Sequence, residues 1–121
     1  MPRILYVDDE ADLREIAQMS LELDPEFEVR VCRSGTDALA EVEHWHPDLI
    51  LLDVMMPGLD GKGVLAKLRE SPKTASIPVV FITARKRDSD VAALQELGAK
   101  AVLGKPFDPM RLAEQVREFL H

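Results

Sequence analysis

The sequence has one cysteine, Cys32, and no apolar run long enough to cross a membrane. One thiol cannot form an internal disulfide, so a small disulfide-stapled fold is excluded. A lone cysteine in a strand-like segment reads as a small buried hydrophobe and suits a reducing compartment. A membrane-spanning helix needs about 18 consecutive apolar residues. The first apolar run meets acid at Asp8, too soon for the core of a secretory signal. Positive charge is also scarce: 15 Lys and Arg against 22 Asp and Glu leave a net charge of −7. Direct nucleic-acid binding is disfavoured, because phosphate backbones reward clustered cations. The expectation is a soluble, cytoplasmic protein with no membrane or direct nucleic-acid contact.

What is present suffices for one core. The chain has 121 residues, 46% of them apolar, which is the size of a single domain and too apolar for disorder. It shows no linker, low-complexity tract or long block of like charge. Instead a short apolar run, a turn or acidic loop and an amphipathic stretch recur five times.

The first run, Ile4 to Val7, ends at Asp8-Asp9-Glu10. From Asp12 to Leu23, Leu13, Ile16, Ala17 and Leu21 form a helical stripe, closed by Asp24-Pro25. Phe27, Val29 and Val31 alternate with Glu28 and Arg30, a strand with one wetter face near a sheet edge. Ser34, with Asp37 three residues on, is the expected N-cap of a helix carrying Ala38, Leu39, Val42 and Trp45. Leu49 to Leu52 is continuously apolar, as in a strand buried on both faces. A helix over Gly61 to Leu68 turns Val64, Leu65 and Leu68 inward. Pro78 to Ile82 predicts another fully buried strand, and Ser89 to Leu97 a helix stopped by Gly98. After a short strand, Ala101 to Leu103, Asp108 is the expected cap of the last helix, with Pro109 at its first position. Leu112, Val116, Phe119 and Leu120 give its buried face.

Alternating strands and helices predict an α/β fold, a parallel sheet covered on both faces. Chemistry in such sheets gathers at the carboxyl ends of the strands. The residues there are Asp8-Asp9, Asp53, Thr83 and Lys105. Three carboxylates, a hydroxyl and an ammonium thus converge from four segments. Two carboxylates about 5 Å apart repel by roughly 3 kcal/mol at an effective dielectric near 20, so three of them need a cation or protonation. Oxygen ligands without His or Cys favour a hard ion, and few carboxylates with room for water fit Mg²⁺ better than Ca²⁺. An aspartate can attack phosphorus to give an acyl phosphate, and Asp53, ending a fully apolar strand, is the most rigidly held candidate. Lys105 could neutralise phosphoryl charge, and Thr83 could hydrogen-bond a phosphoryl oxygen.

These residues resemble a known family along the whole chain. Val7-Asp8-Asp9-Glu10, the run Asp53 to Gly61, Pro78 to Ala84 and Gly104-Lys105-Pro106-Phe107 are similar, in order and separation, to the receiver domains of bacterial response regulators. The resemblance implies one receiver domain over 1–121 with no output domain, unless the chain is cut from a longer protein. It implies a flavodoxin-like three-layer α/β/α sandwich with five parallel strands in order 2-1-3-4-5 and five helices. It implies that Asp53 accepts phosphate from a phosphohistidine of a sensor kinase or histidine phosphotransfer protein, with Thr83 and Lys105 sensing the phosphoryl group. Asp8, Asp9, Asp53 and the Met55 backbone carbonyl are the implied Mg²⁺ ligands, Asp9 the closer one and Asp8 acting partly through water. The Lys105-Pro106 bond is similar to one usually cis in this family. Output would pass through an unidentified protein target, by a monomer or a phosphorylation-dependent dimer, with no reaction beyond self-catalysed phosphoryl transfer and its reversal by water. The first helix and the loops around Asp53 are the implied kinase face. The fourth helix, fifth strand and fifth helix are the implied target face.

One position departs from the pattern. Receivers commonly carry Tyr or Phe three residues before the lysine, where this chain has Val102, which offers no ring for a relay by rotation. Arg85-Lys86-Arg87-Asp88 follows Thr83 and reads either as a solvated helix start or as a loop that brings Arg85 over the site. His44 and His46 lack a third ligand and read as surface residues, as does terminal His121. The alternative within the family is a degenerate receiver, binding proteins without phosphate. A haloacid-dehalogenase-type phosphatase would need an acid where Met55 stands. A flavin-mononucleotide binder would need Ser, Thr and Gly where Asp8-Asp9-Glu10 stands.

Overall fold

The structure, a computed structural model, describes residues 1–85 and 87–120. The elements run β1 (Arg3–Val7), α1 (Ala11–Leu21), β2 (Glu28–Cys32), α2 (Gly35–Trp45), β3 (Leu49–Asp53), α3 (Gly61–Glu70), β4 (Val79–Thr83), α4 (Asp88–Glu96), β5 (Ala101–Gly104) and α5 (Leu112–Phe119). All strand pairs are parallel, in the order β2-β1-β3-β4-β5. This is the flavodoxin-like sandwich implied by the resemblance.

Alternation along the strands builds two cores. Leu5, Val7, Ile50, Leu52, Val79 and Phe81 face α2, α3 and α4 and pack with Val42, Leu65 and Leu94. Ile4, Tyr6, Leu49, Leu51, Val80 and Ile82 face the other way, against Ala17, Leu21, Leu112 and Val116 of α1 and α5. β3 and β4 are buried throughout, as their apolar runs require, while edge strand β2 exposes Glu28 and Arg30. Among the described residues, no helix is long and apolar enough to cross a membrane.

The caps follow side-chain chemistry. Ser34 accepts a hydrogen bond from Asp37 N (3.1 Å), as expected of the α2 cap. Asp60 does the same for α3 through Gly63 N (2.9 Å), a cap not anticipated from sequence. Gly98 takes φ +108° after α4, where a side chain would be strained. α5 starts later than expected: Asp108 Oδ1 accepts from Met110 N and its carbonyl from Arg111 and Leu112, so 108–111 form a turn and the regular helix begins at Leu112. α1 ends at Leu21, with Leu23 exposed. Ile16, assigned to its inward stripe, is 41% exposed, because Ala17, Ser20 and Leu21 form the buried face. Cys32 is only half-buried, since it closes the edge strand. His44 and His46 are exposed at the end of α2. His121 and Lys86 lie outside the described residues.

Gly61 ties the fold to the site. Its N–H donates to Val54 O (3.0 Å). A Cβ there would collide with the Asp53 carbonyl and come within 2.9 Å of Val54 Cα. Both obstacles are backbone. Gly61→Ala is therefore expected to lower unfolding stability in urea by about 1–3 kcal/mol, the usual range for overpacking.

Candidate functional site

Strand register brings the acids together. β1 and β3 pair Val7 with Leu52, so Asp8 and Asp53 emerge side by side at the carboxyl edge. β4 and β5 pair Thr83 with Gly104, which sets Lys105 next to Thr83, and Lys105 N donates to Thr83 O (2.9 Å). Asp8, Asp53 and Thr83 are 0%, 3% and 4% exposed. Asp9 is exposed above them.

One ammonium compensates several acids. Lys105 Nζ lies 3.1 Å from Asp53 Oδ2, 3.1 Å from Glu10 Oε1 and 3.3 Å from Asp8 Oδ2. Burial alone would lower the Lys105 pKa. Its hydrogen bonds to Glu10 and Asp53 and the charges of Asp8 and Asp53 outweigh this and raise it, so the ammonium stays charged. Asp53 goes the other way. Burial first, and the neighbouring Asp8 charge second, push its pKa up to about 6 despite Lys105.

Asp8 has further donors. Glu10 N–H reaches its Oδ1 (3.0 Å) and the Tyr6 hydroxyl its Oδ2 (2.8 Å), while Arg14 Nη1 donates to the Asp8 carbonyl (2.8 Å). Burial, the Asp8 charge and this hydrogen bond all raise the Tyr6 pKa, so the phenol keeps its proton. One carboxylate oxygen from each of Asp8, Asp9 and Asp53 lies within 4.8 Å of the other two. An all-oxygen donor set of this charge fits a hard divalent cation such as Mg²⁺.

Asp53 and Lys105 border an open cleft of about 430 Å³ with Glu10, Leu13, Met55 and Pro106. The Met55 side chain is exposed at its rim. Thr83 Oγ1 accepts from Arg85 N (3.1 Å). Arg85 is exposed and borders a different recess, of about 90 Å³, with Thr83, Lys62 and Asp90. The Lys105-Pro106 bond is cis. Asp8, Asp9, Asp53, Thr83 and Lys105 therefore reach one edge of the sheet, whereas His44 and His46 lie apart from it. Three partners were missed, Glu10, Tyr6 and Arg14. Glu10 was legible only as the third acid of its run, and Tyr6 read as an apolar strand residue.

The profile of the response regulator receiver domain matches residues 4–117. The chain belongs to this family. It is 42% identical over 117 residues to the response regulator Rre1 of Synechocystis sp., covering 97% of this chain and 51% of that protein. It is 45% identical over 117 residues to the response regulator PleD of Caulobacter vibrioides, covering 95% of this chain and 25% of that one. The chain thus spans about half the length of the first relative and a quarter of the second. Among solved structures, the chemotaxis response regulator CheY4 of Vibrio cholerae superposes with a TM-score of 0.90 at 27% identity, covering 98% of both chains. A response regulator from Desulfuromonas acetoxidans gives 0.87 at 27% identity, covering 99% of this chain and 97% of that one.

The raised Asp53 pKa has a stability consequence with a definite sign. An acid whose folded pKa exceeds its unfolded value stabilises the fold when protonated, and that contribution is lost as pH rises through about 6. Asp53→Asn, a neutral isostere, is expected to be more stable than the parent by roughly 1–3 kcal/mol at pH 7 in magnesium-free buffer. The gap should narrow as pH falls below 6 and close near pH 3.8, the ordinary carboxylate value. Urea unfolding of both proteins across this range checks it.

Proposed function

We propose that this receiver domain is a phosphorylation switch whose acceptor is Asp53. The observation that carries the reading is the buried Asp53 carboxylate, 3.1 Å from Lys105 and beside Asp8. The donor is a phosphohistidine on a sensor kinase or a histidine phosphotransfer protein. A carboxylate oxygen of Asp53 attacks phosphorus, the phosphorus–nitrogen bond breaks, and the imidazole leaves with its proton. Asp8, Asp9, Asp53 and the Met55 carbonyl are the residues that would hold Mg²⁺. When bound, that ion offsets the charge of the carboxylates and of the incoming phosphoryl oxygens.

The chain's own groups do the rest. Lys105 turns its ammonium from the free carboxylates toward the phosphoryl group. The Thr83 hydroxyl accepts from Arg85 N–H, and its own proton is free to donate to a phosphoryl oxygen. Rotation of the Thr83 side chain toward that oxygen would release the Arg85 N–H just ahead of α4 (Asp88–Glu96). Val102 is partly buried against the core under α4 and has no ring to turn, so output runs through the Thr83–Arg85 loop. The product is a changed protein-binding surface, read in the cytoplasm by a partner protein and not by direct nucleic-acid contact, as a monomer or a phosphorylation-dependent dimer.

The test is intact mass after incubation with acetyl phosphate and Mg²⁺. One phosphoryl adduct is expected on the parent, lost with a chelator and absent in Asp53→Asn. No adduct here, and none from a panel of phosphorylated kinases, would instead favour a module that binds its partner without phosphate.

A further inference from the structure

Tyr6 is the only tyrosine in the chain, and its hydroxyl is not explained by packing. The ring is 1% exposed in the core between the sheet and α1 and α5, with Phe107 edge-on at 6.1 Å and 72°. A phenylalanine would fill the same volume. The hydroxyl instead donates to Asp8 Oδ2 at 2.8 Å. Burying a hydroxyl is unfavourable without a partner, and here the partner is a carboxylate with no solvent of its own.

Three donors serve the Asp8 carboxylate, and they differ in mobility. The Glu10 N–H is backbone at the start of α1, and the Tyr6 hydroxyl is fixed by a packed ring. The third, the Lys105 ammonium, ends a flexible stem and is shared with Asp53 and Glu10. A phosphoryl group on Asp53 would draw Lys105 toward itself. Asp8 Oδ2 would then keep only the donor that cannot leave.

We propose that Tyr6 is a positioning residue: it holds the buried Asp8 carboxylate in the orientation that binds the divalent cation, and frees Lys105 to leave Asp8. This rests on the reading of Asp8, Asp9 and Asp53 as cation ligands. Partners that orient a ligating side chain from behind commonly contribute about 10- to 100-fold to metal affinity. The edge contact with Phe107 also joins this support to the segment that carries Lys105, two residues earlier in the chain.

Tyr6→Phe removes one oxygen and leaves the ring. Calorimetric titration with MgCl₂ should show binding weaker than the parent by roughly 10-fold. The Mg²⁺ concentration for half-maximal phosphorylation by acetyl phosphate should rise by the same factor. The rate at saturating Mg²⁺ should stay near that of the parent, and the melting temperature in magnesium-free buffer should fall by only a few degrees. Unchanged or tighter Mg²⁺ binding overturns the proposal. So does a rate loss that saturating Mg²⁺ does not restore, since that marks general damage to the fold. If the parent itself binds no Mg²⁺, the reading of the three acids as a cation site fails, and this inference fails with it.

Discussion

The structure is organised around a shortage of positive charge. Asp8 and Asp53 are almost wholly buried, Glu10 and Asp9 stand beside them, and one ammonium, Lys105, serves Asp8, Asp53 and Glu10 at once. Like charges in a poorly solvated setting repel strongly, so the cluster stands only because Lys105 and fixed dipoles offset it. The raised Asp53 pKa reflects burial first and the neighbouring Asp8 charge second, which Lys105 does not fully offset. A site in this condition gains from a divalent cation, and the Lys105 ammonium, on its flexible stem, would be drawn to a new anion on Asp53. Response and instability have the same electrostatic origin.

The remainder of the fold brings that cluster together and keeps it in place. Parallel pairing sets the ends of β1 and β3 level, and those of β4 and β5 level, so four residues far apart in sequence share one edge. Two cores clamp the sheet from both sides. Gly61 lets α3 begin against the Asp53 carbonyl, and the cis Lys105-Pro106 bond leads from Lys105 toward Phe107, which packs on Tyr6.

Much of this was legible in the sequence because its period changes are plain. The unbroken apolar runs of β3 and β4 and the alternation of β2 announced a parallel sheet and one of its edges. The strand ends then picked out Asp8, Asp53, Thr83 and Lys105. What escaped was local or lateral. Ile16 has the right spacing for the α1 stripe but lies on its margin, because rotation of a helix about its axis is set by packing. The turn at 108–111 has the residues of a helix start, yet Asp108 bonds Met110 N and delays the regular helix. Tyr6 sits in an apolar pattern, and nothing in that pattern tells a ring that fills space from one whose oxygen meets a carboxylate two residues away.

The sheet is also uneven in stiffness. Asp53 ends a strand buried at all five positions, whereas Lys105 follows a strand half-exposed at all four, and Thr83 opens into an exposed loop. A force applied at Asp53 meets a rigid anchor on one side and compliant supports on the other. On the proposed reading of Asp53 as phosphoryl acceptor, displacement is expected toward the start of α4 and the β5 edge, where fewer buried contacts restrain the chain, and least at Asp53 itself. In the proposed switch, direction would then be a matter of mechanical asymmetry, built by burying one strand more completely than another.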